Sequence, residues 1–225
     1  MPSAKSTKAF VVLSLFLAAM GVSQLAIGQD PAPGKEPRGR DVVSELRAGG
    51  YVIFFRHATT NPDQVDADAT KLDRCETQRN LSTGGRRMAR DIGLAFQTLR
   101  IPVRKVVTSP YCRTVDTAEL AFGHHESSDA LYFVIGMDKE QRNRQSTELR
   151  QMLSTAPQPG SNTVIVSHNA NLKEATGIWP KREGDAHVFR PRPGGGFDYV
   201  GEVSVDEWTR RADQTGQEAR TREGL

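Results

Sequence analysis

The chain has 225 residues, of which 30 are lysine or arginine and 27 are aspartate or glutamate, and 37% of its residues are hydrophobic. This length excludes a mini-protein and favours one full-sized domain. Lys5 and Lys8 account for two of the three net positive charges. The rest of the chain is therefore nearly neutral, and a nucleic-acid-binding protein is not indicated.

Residues 1–28 have the pattern of a secretory signal peptide. Two lysines precede an apolar run over residues 9–20, and Ala26 and Gly28 supply small side chains before an expected cleavage at Gln29. A run of about 12 apolar residues is too short to cross roughly 30 Å of hydrocarbon, although an uncleaved anchor is the alternative. We therefore expect an exported protein, periplasmic or extracellular, with no stable membrane anchor.

The domain is expected over residues 41–209. Residues 29–40 are rich in proline and glycine and predict a flexible linker, while the charged residues 210–225 predict a disordered tail. Because export permits disulfides, the two cysteines, Cys75 and Cys112, are predicted to be bridged. Two free thiols are the alternative.

Apolar runs alternate with helical patterns along this domain. Helices are predicted over residues 41–48, after an N-cap at Ser82, after an N-cap at Ser109 with Pro110 as the first helical residue, and around Leu149 to Leu153. Strands are predicted over residues 51–55, 103–107, 131–135 and 162–166, followed by a hairpin that turns at Gly194, Gly195 and Gly196. The alternation predicts an α/β fold, a three-layer αβα sandwich whose mostly parallel sheet has an antiparallel edge.

Basic and ionisable residues follow three of these strands at their carboxyl ends. Arg56 and His57 end the first run, Arg113 lies shortly after the second, and His168 follows the last. Ligands of open parallel sheets bind beyond the carboxyl ends of the strands, and guanidinium groups suit phosphate or carboxylate. Each residue alone could be an ordinary surface or packed side chain. Together, the four predict a site for a small anion.

The other histidines are given no role in this site. His124 and His125 follow a predicted helix end and are interpreted as solvated, and His187 lies in a predicted edge strand. Because no Cys/His cluster has the spacing of a zinc site, neither a metal nor another cofactor is expected.

Four segments resemble the histidine phosphatase superfamily, which is also called phosphoglycerate-mutase-like. They are FFRHATTN at 54–61, NLSTGGRRMA at 80–89, TSPYCRTVDTA at 108–118 and SHNANL at 167–172. With the signal peptide, the pattern is most similar to the exported branch that includes the lipopolysaccharide core heptose phosphate phosphatase. The resemblance implies the phosphoglycerate-mutase-like fold and a phosphomonoesterase that needs no metal.

The resemblance also implies roles for individual residues. His57 matches the nucleophile that becomes phosphohistidine, while Arg56, Arg113 and His168 match the catalytic pocket for the phosphoryl oxygens, and we expect Thr60 to bind phosphate as well. Ala58 replaces the usual glycine after the nucleophile. The asparagine that follows His168 argues against a phytase-like acid phosphatase, which has an aspartate there.

The general acid matches no motif. Asp138 is our choice, and Glu140, Glu174 and Glu183 are the alternatives. The expected partner is a small phosphorylated substrate, for instance a phosphosugar or a cell-envelope phosphate. The alternative functions are a non-catalytic anion-binding member of the family and a phosphoglycerate mutase.

Overall fold

The structure, a computed structural model, describes residues 41–68 and 71–223. This part of the chain forms a six-stranded sheet of order β3-β2-β4-β1-β5-β6. The strands are β1 (Val52–Arg56), β2 (Val103–Thr108), β3 (Glu126–Ser127), β4 (Asn162–Ser167), β5 (Ala186–Pro191) and β6 (Phe197–Val203). The first four are parallel to one another, β5 pairs antiparallel with β1, and β6 pairs antiparallel with β5. The predicted fold class is confirmed.

Helices cover both faces of the sheet. They are α1 (Val42–Glu45), α2 (Thr83–Thr98), α3 (Cys112–Phe122), α4 (Lys139–Ser154), α5 (Asn169–Thr176) and α6 (Val205–Glu223). Successive side chains of β1 point to opposite faces, so Ile53 and Phe55 join the apolar cluster of α1, α2, α3 and α6. Val52 and Phe54 join the cluster of α4 and α5. The sheet is therefore the middle layer of three, and β1 is buried on both faces.

The helix predicted after Ser82 is α2, and it begins as the sequence predicts. The Ser82 hydroxyl accepts a hydrogen bond from the Gly85 N–H, which otherwise has no partner in the first turn. The backbone of α2 also lies close to two neighbouring segments, because two of its residues are glycines without a side chain. Gly85 touches the backbone of Thr59, and Gly93 touches the backbone of Ala121 in α3.

The prediction of a strand over residues 131–135 is wrong. The chain forms a 3-10 turn over Asp129–Leu131 and then runs irregularly to α4. The carbonyls of this segment bind side chains instead of a neighbouring strand: Asn171 donates to Leu131 O (3.4 Å) and Tyr132 O (2.7 Å). The apolar run that predicts a strand is therefore an irregular segment whose side chains Leu131 and Val134 are buried. The two-residue strand β3 pairs with β2 instead.

The predicted start of α3 is also wrong, by two residues. Tyr111, not Ser109, is the N-cap residue, and Pro110 lies outside the helix. The hydroxyl of Thr114 donates to the carbonyls of Ser109 and Tyr111, which stabilises the bend before the helix. Arg113 is the second residue of α3 and so lies in its first turn.

The tail predicted to be disordered from residue 210 is helical to Glu223, as the end of α6. Trp208 is fully buried, and its ring centroid lies 4.9 Å from that of Phe96 in α2. This contact holds the helix to the domain. Ala212 packs against the same cluster, and Arg211 pairs with Glu207 one turn earlier (2.8 Å). Packing on α2 and pairing along the helix thus order a segment whose composition alone favours disorder.

The predicted signal peptide and linker lie outside the residues that the structure describes. Within residues 41–68 and 71–223, no helix is both long and apolar enough to cross a membrane.

Candidate active site

Parallel pairing of β1 with β4 brings the two predicted histidines together. Arg56 is in register with Ser167, so His57 and His168 leave neighbouring strands side by side. The His57 N–H donates to Ser167 O (3.0 Å), and the two imidazole centroids are 5.6 Å apart. Both rings are almost fully buried.

His57 is held in one orientation by its own loop. Its Nδ1 lies 2.9 Å from the Ala58 carbonyl oxygen, which can only accept, so Nδ1 carries the proton and Nε2 has the free electron pair. Burial, together with the positive charge of Arg113, lowers the pKa of His57 from 6.5 to about 3. His57 is therefore a neutral imidazole at neutral pH, with a lone pair on Nε2.

Ala58, where the resembled family has glycine, is fully buried. Its N–H donates to the Thr117 hydroxyl (3.0 Å). Among the described non-glycine residues only Arg100 has a positive φ, so the backbone at Ala58 is one that alanine adopts without strain.

His168 is oriented by two polar neighbours. Its Nδ1 is 3.5 Å from Arg113 Nη2, a group that only donates, and its Nε2 is 2.9 Å from the Ser109 hydroxyl. The proton therefore sits on Nε2. Burial and the charge of Arg113 hold the pKa of His168 well below its usual value. Both histidines are thus uncharged when the site is at neutral pH.

Arg113 is a buried cation with one carboxylate partner. Its Nη1 donates to Asp66 Oδ1 at 2.9 Å, and its side chain is 1% exposed. The guanidinium carbon lies 4.5 Å from the centroid of Tyr111 and 5.7 Å from that of Phe133, so aromatic rings flank the charge. Its Nε is buried and has no hydrogen-bond partner among residues 41–68 and 71–223.

Arg56 reaches the same edge of the sheet from β1. Its Nη1 donates to Lys181 O (2.8 Å), and its Nη2 donates to Glu183 (3.4 Å). Its Nε, like that of Arg113, is buried without a hydrogen-bond partner in the described part of the chain. Burial lowers the pKa of Arg56, while the Glu183 carboxylate raises it, and a guanidinium stays charged in either case.

Glu183 is the predicted carboxylate that the structure brings to the site. It accepts hydrogen bonds from the Thr60 N–H (3.1 Å) and hydroxyl (2.9 Å), and one of its oxygens lies 3.9 Å from His57 Nδ1. The next residue, Gly184, donates to the His57 carbonyl at 3.0 Å and keeps this loop against β1. Both donors of Thr60, a predicted phosphate-binding residue, are thus engaged with Glu183.

The other predicted acids are not brought into this cluster. Asp138 is exposed and caps α4 by accepting from the Gln141 N–H (2.8 Å), so we do not assign the acid to it. Glu140 is exposed in the first turn of the same helix, and Glu174 is exposed on α5.

Cys75 and Cys112 form the predicted disulfide. It ties the segment between β1 and α2 to the residue that precedes Arg113. Gln78 strengthens the link, since its side-chain oxygen accepts from the Cys112 N–H at 3.0 Å. In the described part of the chain, no three His, Cys, Asp or Glu side chains are grouped as a metal site would require.

Sequence reasoning missed two residues of the same segment, Asp66 and Arg79. Asp66 accepts from both Arg113 Nη1 and the Arg79 N–H (3.0 Å). The charge of Arg79 acts on His57, His168 and both predicted arginines. Neither residue belongs to a motif. The predicted disulfide was the one signal that could have led to them, because it brings their segment to Arg113.

No protein-family model matches the sequence, and no relative was found among curated proteins. Solved structures do share the fold. The protein histidine phosphatase SixA, in a complex with tungstate, matches over 69% of this chain and 97% of its own, with a TM-score of 0.50 and 14% identity. Phosphoserine phosphatase from Entamoeba histolytica, in a complex with 3-phosphoglyceric acid, matches over 70% and 98%, with a TM-score of 0.51 and 14% identity. The predicted phosphoglycerate-mutase-like fold is confirmed.

Proposed function

We propose that this chain, which has the fold of the histidine phosphatases, is an exported phosphomonoesterase that acts through a phosphohistidine on His57 and needs no metal. The fold comparisons are compatible with this proposal, and the side chains at the carboxyl edge of the sheet supply the chemistry for it.

One observation carries the proposal. Two arginine Nε–H donors, from Arg56 and Arg113, are buried without an acceptor among the residues that the structure describes. They lie in the same group as His57, whose Nε2 has a free electron pair. A buried donor without a partner costs roughly 1–3 kcal/mol, more when it is charged. Phosphoryl oxygens are acceptors that would satisfy both donors, and they would bring phosphorus next to His57.

The reaction would run in two displacements at phosphorus. In the first, His57 Nε2 attacks, the bond to the ester oxygen breaks, and its electron pair leaves with that oxygen, which takes a proton from water. In the second, water attacks the phosphohistidine, the P–N bond breaks with its electron pair returning to His57 Nε2, and phosphate leaves; the proton released by the attacking water neutralises the hydroxide formed in the first step. The neutral state of His57 allows the first attack, and the arginines stabilise charge on the phosphoryl oxygens in both steps.

Glu183 would act as a positioning residue. Its carboxylate already accepts from Thr60 and Arg56, and it faces the Nδ1 side of His57 rather than the attacking nitrogen. We therefore assign to Glu183 the task of holding Arg56 and the loop after His57 in place.

Turnover of p-nitrophenyl phosphate tests the nucleophile, since its leaving group needs no acid. We expect His57→Ala to lose activity by several orders of magnitude while His124→Ala, at an exposed histidine, keeps it. Labelled phosphoester, followed by an acid-free quench, should leave label on the wild type only. Equal labelling of His57→Ala would disprove the assignment. Phosphate binding without turnover would favour the non-catalytic alternative.

Metal independence and export need separate tests. Activity should persist in EDTA across a pH series. The amino-terminal sequence of protein recovered from the producing cells should begin at Gln29, and an intact amino terminus would contradict cleavage. The disulfide supports export, because such bonds persist in oxidising compartments. A panel of phosphosugars and cell-envelope phosphates would test the expected substrate class.

A further inference from the structure

Arg79 is fixed next to Arg113 by hydrogen bonds from its own backbone and its neighbour. Its N–H donates to Asp66 Oδ1 at 3.0 Å, and the same oxygen accepts from Arg113 Nη1 at 2.9 Å. The preceding residue, Gln78, is buried and binds the N–H of Cys112. The backbone of Arg79 is therefore one carboxylate away from the buried guanidinium.

Apart from Arg79, the charged side chains at the site are two arginines and two carboxylates, and their charges cancel. Arg113 is paired with Asp66, and Arg56 is paired with Glu183 at 3.4 Å. His57 and His168 are neutral at pH 7. Two cations and two carboxylates leave no net charge, so this group of residues by itself would attract a phosphoryl dianion only weakly.

Of the three arginines in this group, Arg79 is the one without a counterion among the described residues. Its partly buried side chain makes no hydrogen bond or ion pair with any residue in 41–68 or 71–223. Its backbone N–H shares the Asp66 oxygen with Arg113, so its side chain begins beside the site. In keeping with this position, its positive charge lowers the pKa of both histidines and of both paired arginines. A guanidinium that is close to a site and unpaired is available to an anionic ligand.

We propose that Arg79 is a third phosphate-binding residue, and that its unpaired guanidinium supplies the net positive charge that draws the phosphoryl group into the site. This inference rests on the proposed phosphatase function and names a further residue of the same site. It also gives the disulfide a role, since Cys75 lies four residues before Arg79 and joins its segment to Cys112.

The test is the affinity of the purified protein for inorganic phosphate, measured by calorimetry with Arg79→Gln, Arg79→Lys and Arg74→Gln. Arg74 is the matched control, because it lies on the same segment and carries the same charge but is exposed and paired with Glu76 (2.8 Å). Thermal melts of all variants would verify folding.

We expect Arg79→Gln to weaken phosphate binding by about tenfold or more, the effect of losing a hydrogen bond to a charged group. Arg79→Lys should retain part of the affinity, because it keeps the charge without the planar fork. Arg74→Gln should bind as the wild type does. Wild-type affinity in Arg79→Gln, or equal losses in Arg79→Gln and Arg74→Gln, would overturn the proposal for Arg79 alone. A wild type that neither binds phosphate nor hydrolyses p-nitrophenyl phosphate would overturn the proposed function and this inference with it.

Discussion

Replacing Gly85 with alanine should disrupt the contact between α2 and the loop after His57, while the same change at Gly84 should stabilise the protein. An added Cβ at Gly85 would lie 1.8 Å from the Thr59 carbonyl oxygen, whereas at Gly84 the nearest atom is the Ser82 hydroxyl at 3.7 Å. Ordinary contact begins at 3.4 Å. Helix and loop must therefore separate in the first variant and need not move in the second.

The size of the effect follows from the bonds at this contact. Thr59 O accepts from the Ser82 N–H (3.0 Å) and from its hydroxyl (3.2 Å), and both bonds lengthen if the helix moves away. Their loss costs roughly 2 kcal/mol and overpacking costs about 1–3 kcal/mol, while alanine in a helix returns up to about 1 kcal/mol. Gly85→Ala should thus lower the free energy of unfolding by about 2–4 kcal/mol. Gly84→Ala should raise it by up to about 1 kcal/mol.

Urea unfolding of the two variants and the wild type measures this difference, and p-nitrophenyl phosphate turnover measures its effect on the site. Thr59 lies between Ala58, which orients His57, and Thr60, which binds Glu183. Gly85→Ala should therefore lose activity even where it is fully folded, and Gly84→Ala should not. Equal stability of the two variants would refute the reasoning, because it would mean that α2 does not approach the loop as closely as the structure shows.

Three further predictions concern charge, pH and the disulfide. Glu183→Gln should lower turnover roughly tenfold through weaker positioning without weakening phosphate binding, since it removes a negative charge; a parallel loss of phosphate affinity would argue against this role. Burial lowers the pKa of His187 to about 4, so below about pH 6.5 the unfolded state binds more protons than the folded state, and stability decreases as the pH is lowered. Between pH 7.5 and pH 5, His187→Gln should therefore lose about 2 kcal/mol less unfolding free energy than the wild type, and an equal loss in urea titrations would contradict the burial. Mild reduction or Cys75→Ser should weaken the binding of bulky phosphoesters more than it lowers the free energy of unfolding. Loop closure by the disulfide contributes at most about 4 kcal/mol to that free energy. Equal kinetics with small and bulky esters would show that the disulfide does not affect the phosphate site.

The sequence by itself determines the sheet and the residues at its carboxyl edge. Apolar runs such as residues 51–55 can only be buried on both faces, and their alternation with helical patterns requires a parallel sheet. Parallel strands end at one edge, so Arg56, His57, Arg113 and His168 had to be neighbours once the strands were placed. Local periodicity and chain direction are sufficient for this part of the prediction.

Local pattern fails where other elements decide what a segment does. The apolar residues 131–135 have the composition of a strand, but Asn171 binds their carbonyls and β3 takes the place beside β2. Residues 210–223 have the composition of a disordered tail, but α2 offers a surface on which they form a helix. In both cases the partner lies far away in the sequence.

Only the tertiary structure decides which charges belong to the site. Among the four carboxylates considered as acids, Glu183 alone joins the cluster, because the loop before β5 returns to the end of β1, whereas Asp138 caps a helix. Asp66 and Arg79 enter through a segment without regular periodicity, which the disulfide and Gln78 hold against Arg113. The strand ends follow from short-range pattern, but the charge balance around them depends on contacts between loops, which no local pattern in the sequence encodes.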